Sequence, residues 1–225
     1  MEKRITFLSD NLRLEGIWRP VSAARAVVVT HPHPLYGGDM HNPVVTTIAD
    51  SFAQQGYATL RFNFRGTGAS EGGFDDGPGE RRDLEAALNW VRERISAQAC
   101  IAGYSFGGWV AAGAASDAVA LSAAGAAAET AGEGLLKKAP LYLVSPPVGF
   151  ISFDNLAAPP ALSAVVAGTR DEFAPLTRVR ALLERWQATQ TLEVLEGCDH
   201  FYSGFLSQLA RVLAGRIPAI KADDG

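Results

Sequence analysis

Cysteine is scarce in this chain. Its two thiols, Cys100 and Cys198 among 225 residues, are too few for a disulfide-built scaffold. Cys100 opens the apolar run ACIAGY and reads as a small buried hydrophobe, whereas Cys198, in EGCDHF, is expected to be partly exposed. The strand pattern places them at opposite ends of a sheet, so no bridge between them is expected. Long apolar runs are missing as well. The N-terminal MEKRITFLSDNLRLEG lacks the apolar core of a secretory signal, and no stretch reaches spanning length. No membrane partner is expected, and the cytoplasm is the default compartment. Basic runs are absent and the net charge is −4, so nothing favours nucleic acid. Gly-Lys-Ser/Thr does not occur. The segment FRGTGASEGG at 64–73 puts Glu71 where a dinucleotide fingerprint needs its third glycine. Its glycines are read instead as tight turns, with Arg65 paired to an acid in a structural role. No cofactor is expected. The histidines His31, His33, His41 and His200 offer no third ligand at metal spacing, so no metal is expected either.

What is present suits one globular domain. Hydrophobic residues make up 48% and charged residues 20%, enough for one sizeable core. Residues 4–8 and 12–19 predict a hairpin about Ser9-Asp10-Asn11. RAVVVT at 25–30, ATLRFNF at 58–64, ACIAGY at 99–104, LYLVS at 141–145, LSAVVA at 162–167 and LEVL at 192–195 read as strands, mostly buried on both faces. Helices are predicted from Asn42-Pro43 to about Gln55, over 80–94, after Ser105, over 175–188 and over 202–213. The alternation predicts an α/β, doubly wound, mostly parallel sheet of about eight strands with helices on both faces. The Ala/Gly-rich stretch 117–138 is read as a helical extension with ends at Gly125 and Gly132, or else as a flap near the site. No large cap follows the sixth strand, which predicts a shallow, open site.

The chemistry centres on GYSFG at 103–107, a G-x-S-x-G pattern between a strand and a helix. A serine hydroxyl attacks well only when it is presented openly beside a base, and a sharp strand-to-helix turn presents it. Ser105 is therefore the candidate nucleophile. Phe106, the next residue, offers a backbone N–H at the helix N-terminus, where negative charge is favoured.

The chain resembles the α/β-hydrolase family, especially small bacterial serine hydrolases near dienelactone hydrolases and carboxylesterases. The resemblance is carried by HPHPLYGGDMHNPVV at 31–45, RFNFRGTGASEG at 61–72 and GYSFGG at 103–108. It implies that the base and acid follow the nucleophile in the order Ser, Asp, His. Only His200 among the histidines follows Ser105, just after the last predicted strand, where it can take the serine proton. Asp171, in GTRDEFAP, fits the family's acid loop. Asp154, after the preceding strand, is its rival, while Glu172 is assigned to capping the next helix. Asp199 is too close in sequence to orient the ring. The second oxyanion donor must come from the loop after the third strand; prolines have no N–H, leaving His33 or Leu35. The side chains of His31 and His33 are read as loop-fixing partners.

Candidate pocket walls are Leu35, Tyr36, Phe106, Pro146, Pro147, Phe150, Phe173 and Phe201. Their apolar character suits a neutral acyl substrate. The reading is hydrolysis of a small carboxylic ester through an acyl-serine. Thioester, lactone or peptide cleavage by the same residues, or a hydrolase-fold binding protein, are the alternatives. The oligomeric state is left open.

Overall fold

The computed structural model describes residues 1–21, 25–95, 99–123 and 131–220. The chain begins with β1 (Lys3–Ser9), β2 (Leu12–Arg19) and β3 (Ala26–Thr30), followed by α1 (Pro43–Gln54). Next come β4 (Ala58–Phe62), α2 (Pro78–Arg92), β5 (Ala99–Tyr104), α3 (Phe106–Ala123) and α4 (Ala131–Lys138). The last third contains β6 (Leu141–Val144), β7 (Leu162–Gly168), α5 (Leu176–Arg185), β8 (Leu192–Leu195) and α6 (Leu206–Arg216). The eight strands form one sheet in the order β1-β2-β4-β3-β5-β6-β7-β8. β2 pairs antiparallel with β1 and β4, and the rest of the sheet is parallel.

Side-chain alternation divides the core in two. Val28 and Ile101 face a layer built with Leu84 and Leu88 of α2, Val110 of α3, and Val179 and Leu183 of α5. Val27, Val29 and Cys100 face the opposite layer, with Val45 and Ile48 of α1 and Leu209 and Leu213 of α6. Both faces are covered, which is why β3, β4 and β5 read as unbroken apolar runs.

Three local departures from the sequence reading have physical causes. β4 stops at Phe62 rather than Phe64: Asn63 still donates to Glu15 O of β2, but the next N–H groups leave the ladder. Phe64 N donates to His31 Nε2 and Arg65 N to Asp83 Oδ2. α6 starts at Leu206 rather than Tyr202, because Tyr202 (φ 57°) and Gly204 (φ 77°) are left-handed. Gly132 is the second residue of α4, beside its described start, and Gly125 falls outside the described residues. α4 packs on α2 and α3, with Leu136 buried in their shared core. Cys198, expected to be partly exposed, is fully buried, and burial pushes its thiol up to about 11.

Arg65 meets its expected acid. Its guanidinium NH2 donates to Asp83 Oδ1 at 2.7 Å and to Asp10 Oδ2 at 3.0 Å. The side chains of Arg65 and Asp83 are 7% and 0% exposed, so this pair ties the β1–β2 turn, the loop after β4 and α2 inside the protein.

Candidate active site

β5 delivers Ser105 at the carboxyl edge, near the middle of the sheet. The turn into α3 is so tight that Ser105 is held at φ 52°, a conformation costly for a residue with a Cβ. A Cβ at Gly103 would lie 2.6 Å from Gly107 O, and one at Gly107 would lie 2.6 Å from His31 O. Both glycines are thus required by close backbone approach. Thr30 Oγ1 donates to Gly107 O at 3.0 Å and clips the elbow to the end of β3.

His200 arrives on the loop after β8. Its Nε2 lies 2.9 Å from Ser105 Oγ, and its Nδ1 lies 2.8 and 2.9 Å from the two oxygens of Asp171. Tyr104 Oη donates to His200 O at 2.8 Å and steadies that loop. Asp171 follows β7, and its Oδ1 also accepts from Phe173 N and Ala174 N at 3.0 and 2.7 Å. Asp171 therefore shapes the turn before α5. Glu172, assigned to capping, is exposed, and α5 has no side-chain cap. Burial alone would raise the Asp171 carboxyl. The hydrogen bond and charge of His200, with the Ser145 hydroxyl and Ala174 N–H, outweigh burial and hold it below the usual carboxylate value. The rival Asp154 is engaged elsewhere, with Ser152 and Arg185. Asp199 turns outward and accepts from Ser203 N.

The loop after β3 is held from beneath by His31. Its Nε2 accepts from Phe64 N at 3.0 Å, so the proton resides on Nδ1, which donates to Pro32 O at 2.7 Å. Burial pushes this imidazole down to about 4 and keeps it neutral. Of the two oxyanion candidates on the loop, the Leu35 N–H is already used, donating to His33 Nδ1 at 3.3 Å, and its side chain is exposed. The His33 N–H has no acceptor among the described residues. Phe106 is the first residue of α3, so its N–H has no acceptor within the helix.

A cavity of about 470 Å³ opens beside Ser105. Tyr36, Phe106, Pro147, Phe150, Phe173 and Phe201 line it. Leu35 and Pro146 do not: Leu35 is exposed to solvent, and Pro146 is buried outside the lining. Sequence reasoning missed Asn42, Tyr104 and Ile151 on the wall. Asn42 was legible only as a helix cap, a role it also has, accepting from Val44 N at 2.9 Å. The His33 ring, expected only to fix the loop, is also part of the wall, packed 4.8 Å from both Tyr36 and Phe106. This volume falls in the range of a small-molecule site.

A left-handed serine on a strand-to-helix elbow, in a mostly parallel sheet of this strand order, defines an α/β hydrolase. The family model of the X-Pro dipeptidyl-peptidases (S15 family) matches residues 10–134. An α/β serine hydrolase homologue from Coxiella burnetii has 31% identity and a TM-score of 0.82, covering 96% of this chain and 97% of that one. An α/β serine hydrolase without a lid, from Xanthomonas campestris, has 30% identity and a TM-score of 0.81, covering 98% and 97%. An uncharacterised protein of Rickettsia prowazekii (strain Madrid E) is 32% identical over 215 residues, 88% of this chain and 82% of its own length. The chain belongs to the α/β serine hydrolases, within the family that the S15 model describes.

Proposed function

We propose that the protein hydrolyses small carboxylic esters through an acyl-serine intermediate. The observation that carries this reading is the continuous line Ser105–His200–Asp171 opening into an apolar cavity. His200 Nε2 takes the Ser105 proton as Oγ attacks the carbonyl carbon, and later returns a proton to the departing alkoxide. Asp171 accepts a hydrogen bond from Nδ1–H, fixes the tautomer and stabilises the imidazolium. The N–H groups of Phe106 and His33 face the oxyanion; Leu35 is set aside because its N–H is occupied. Water then enters on the same path and releases the acid.

The apolar wall favours a compact, uncharged acyl group. Longer chains must run out over Tyr36 and Phe201, both largely exposed, where each added methylene gains well under the ~0.8 kcal/mol of full burial. A ladder of p-nitrophenyl esters tests this. Rates should peak at short acyl chains, and a steady rise to long chains would contradict the reading.

The family match favours a second reading, cleavage of a dipeptide from a free N-terminus at proline. Such a substrate brings an ammonium group, which calls for a carboxylate within reach, and no Asp or Glu lines the cavity among the described residues. An Xaa-Pro-p-nitroanilide should therefore turn over far more slowly than a p-nitrophenyl ester. The opposite ranking would replace the ester reading with the peptidase one.

A further inference from the structure

The cavity beside Ser105 carries polar side chains that the mechanism above does not use. Ser105 and His200 are committed to each other, Tyr104 Oη donates to His200 O, and Tyr36 is largely exposed at the rim. Asn42 and His33 remain. Asn42 Oδ1 accepts from Val44 N at 2.9 Å. Only the oxygen of an amide accepts, so this contact fixes which way the group is turned. Its Nδ2, with hydrogens to give, has no acceptor among the described residues. Leu35 N donates to His33 Nδ1, so the neutral ring carries its proton on Nε2, which likewise has no acceptor among the described residues. Both uncommitted groups are donors. No Asp or Glu lines the cavity among the described residues to receive them. A ligand that displaces water from these N–H groups must bring acceptors or leave them unpaired. In the proposed reaction the ester carbonyl already faces the backbone N–H groups of Phe106 and His33, so a second oxygen is needed.

We propose that Asn42 is a specificity-determining residue whose Nδ2 donates to an ether, hydroxyl or keto oxygen of the substrate, outside the reacting ester group. This deepens the ester reading and rests on it. Asn42 is half-buried and shares one cavity of about 470 Å³ with Ser105, which sets that oxygen within a few bonds of the scissile ester. No Lys or Arg lines the cavity among the described residues, so the oxygen belongs to a neutral group rather than to a carboxylate. Capping α1 does not by itself account for asparagine, because aspartate or serine would accept from Val44 N as well. What asparagine adds is the amide N–H pair beside the cap.

The test compares p-nitrophenyl esters in which an oxygen replaces one methylene: 3-methoxypropanoate against pentanoate, and methoxyacetate against butyrate. Each kcat/KM is divided by that ester's own rate with hydroxide, which removes the inductive effect of the ether oxygen. A third pair, 2-methoxyethyl butyrate against butyl butyrate, places the oxygen on the alcohol side. The wild type should favour the oxygenated member of at least one pair by about three- to tenfold. Asn42→Asp keeps the cap but replaces the donor with an acceptor, and should bring that preference to one or below. Asn42→Ser keeps a capping oxygen without the added charge, and should bring it close to one. Fluorophosphonate labelling of Ser105 counts active sites in each preparation, and thermal unfolding shows that each variant is folded. The ratio is blind to a general loss of activity, so a role in capping alone would leave it unchanged. Equal turnover within all three pairs overturns the proposal, as does a preference that survives in both variants. If neither member of any pair is hydrolysed, the ester reading itself falls.

Discussion

At Ser105 the left-handed backbone belongs to the elbow, so alanine inherits it without making it worse. Ser105→Ala should lower ester turnover by roughly 10⁴- to 10⁶-fold while leaving the melting temperature within a few degrees, measured by assay and thermal unfolding side by side. Asp171→Asn should cost less, on the order of 10³- to 10⁴-fold, because nucleophile and base remain and only the imidazole tautomer is wrong. His31 gives a stability signature distinct from catalysis. Its folded value is lowered to about 4 from 6.5. Between those values the unfolded chain binds a proton that the folded one refuses. Stability should therefore fall as pH drops from about 6.5 towards 4, by about 3 kcal/mol from this residue, and stay flat above that window. In His31→Gln, urea midpoints at pH 7.5 and 4.5 should lie closer together than in wild type.

Among the elements, the elbow is least forgiving. Gly107→Ala would set a Cβ 2.6 Å from His31 O and 2.7 Å from the Thr30 backbone, neither of them flexible. The end of β3 and the start of α3 must separate, at about 1–3 kcal/mol by urea unfolding, with labelling of Ser105 slowed because the oxyanion loop moves too. The strands and the elbow were legible because each rests on a short local pattern: β-branched runs for β3 and β5, and paired glycines around Ser105. His200 and Asp171 were legible because each follows a strand end in the order that the family resemblance implies. What sequence could not give depends on who meets whom. β4 ends early because His31 and Asp83 supply acceptors from distant segments. Sequence left His33 and Leu35 as candidate donors, and only the fold shows a neighbouring ring nitrogen accepting from the Leu35 N–H. Ser145 reads as the last residue of a strand, and only the fold sets its hydroxyl 3.0 Å from Tyr202 Oη.

Across the whole molecule, the Arg65–Asp83 pair joins parts of the chain that share no strand pairing, the first hairpin turn and α2. Arg65→Met would leave the fully buried Asp83 unpaired, and denaturant unfolding should register a loss of about 3–5 kcal/mol. No helix of the described residues is long and apolar enough to cross a membrane. Ser105, His200 and Asp171 all stand in turns or loops at the carboxyl edge, below a rim whose Tyr36, Phe150 and Phe201 rings are half or more exposed. Under the proposed acyl-serine mechanism, that openness bears on the fate of the acyl group. Bulk solvent can reach the carbonyl from the rim side, so an added alcohol must compete with water for the same intermediate. The protein should act as a poor acyl carrier: with methanol present, the ester product should stay a minor fraction of the acid, and product ratios by chromatography will read that partition directly.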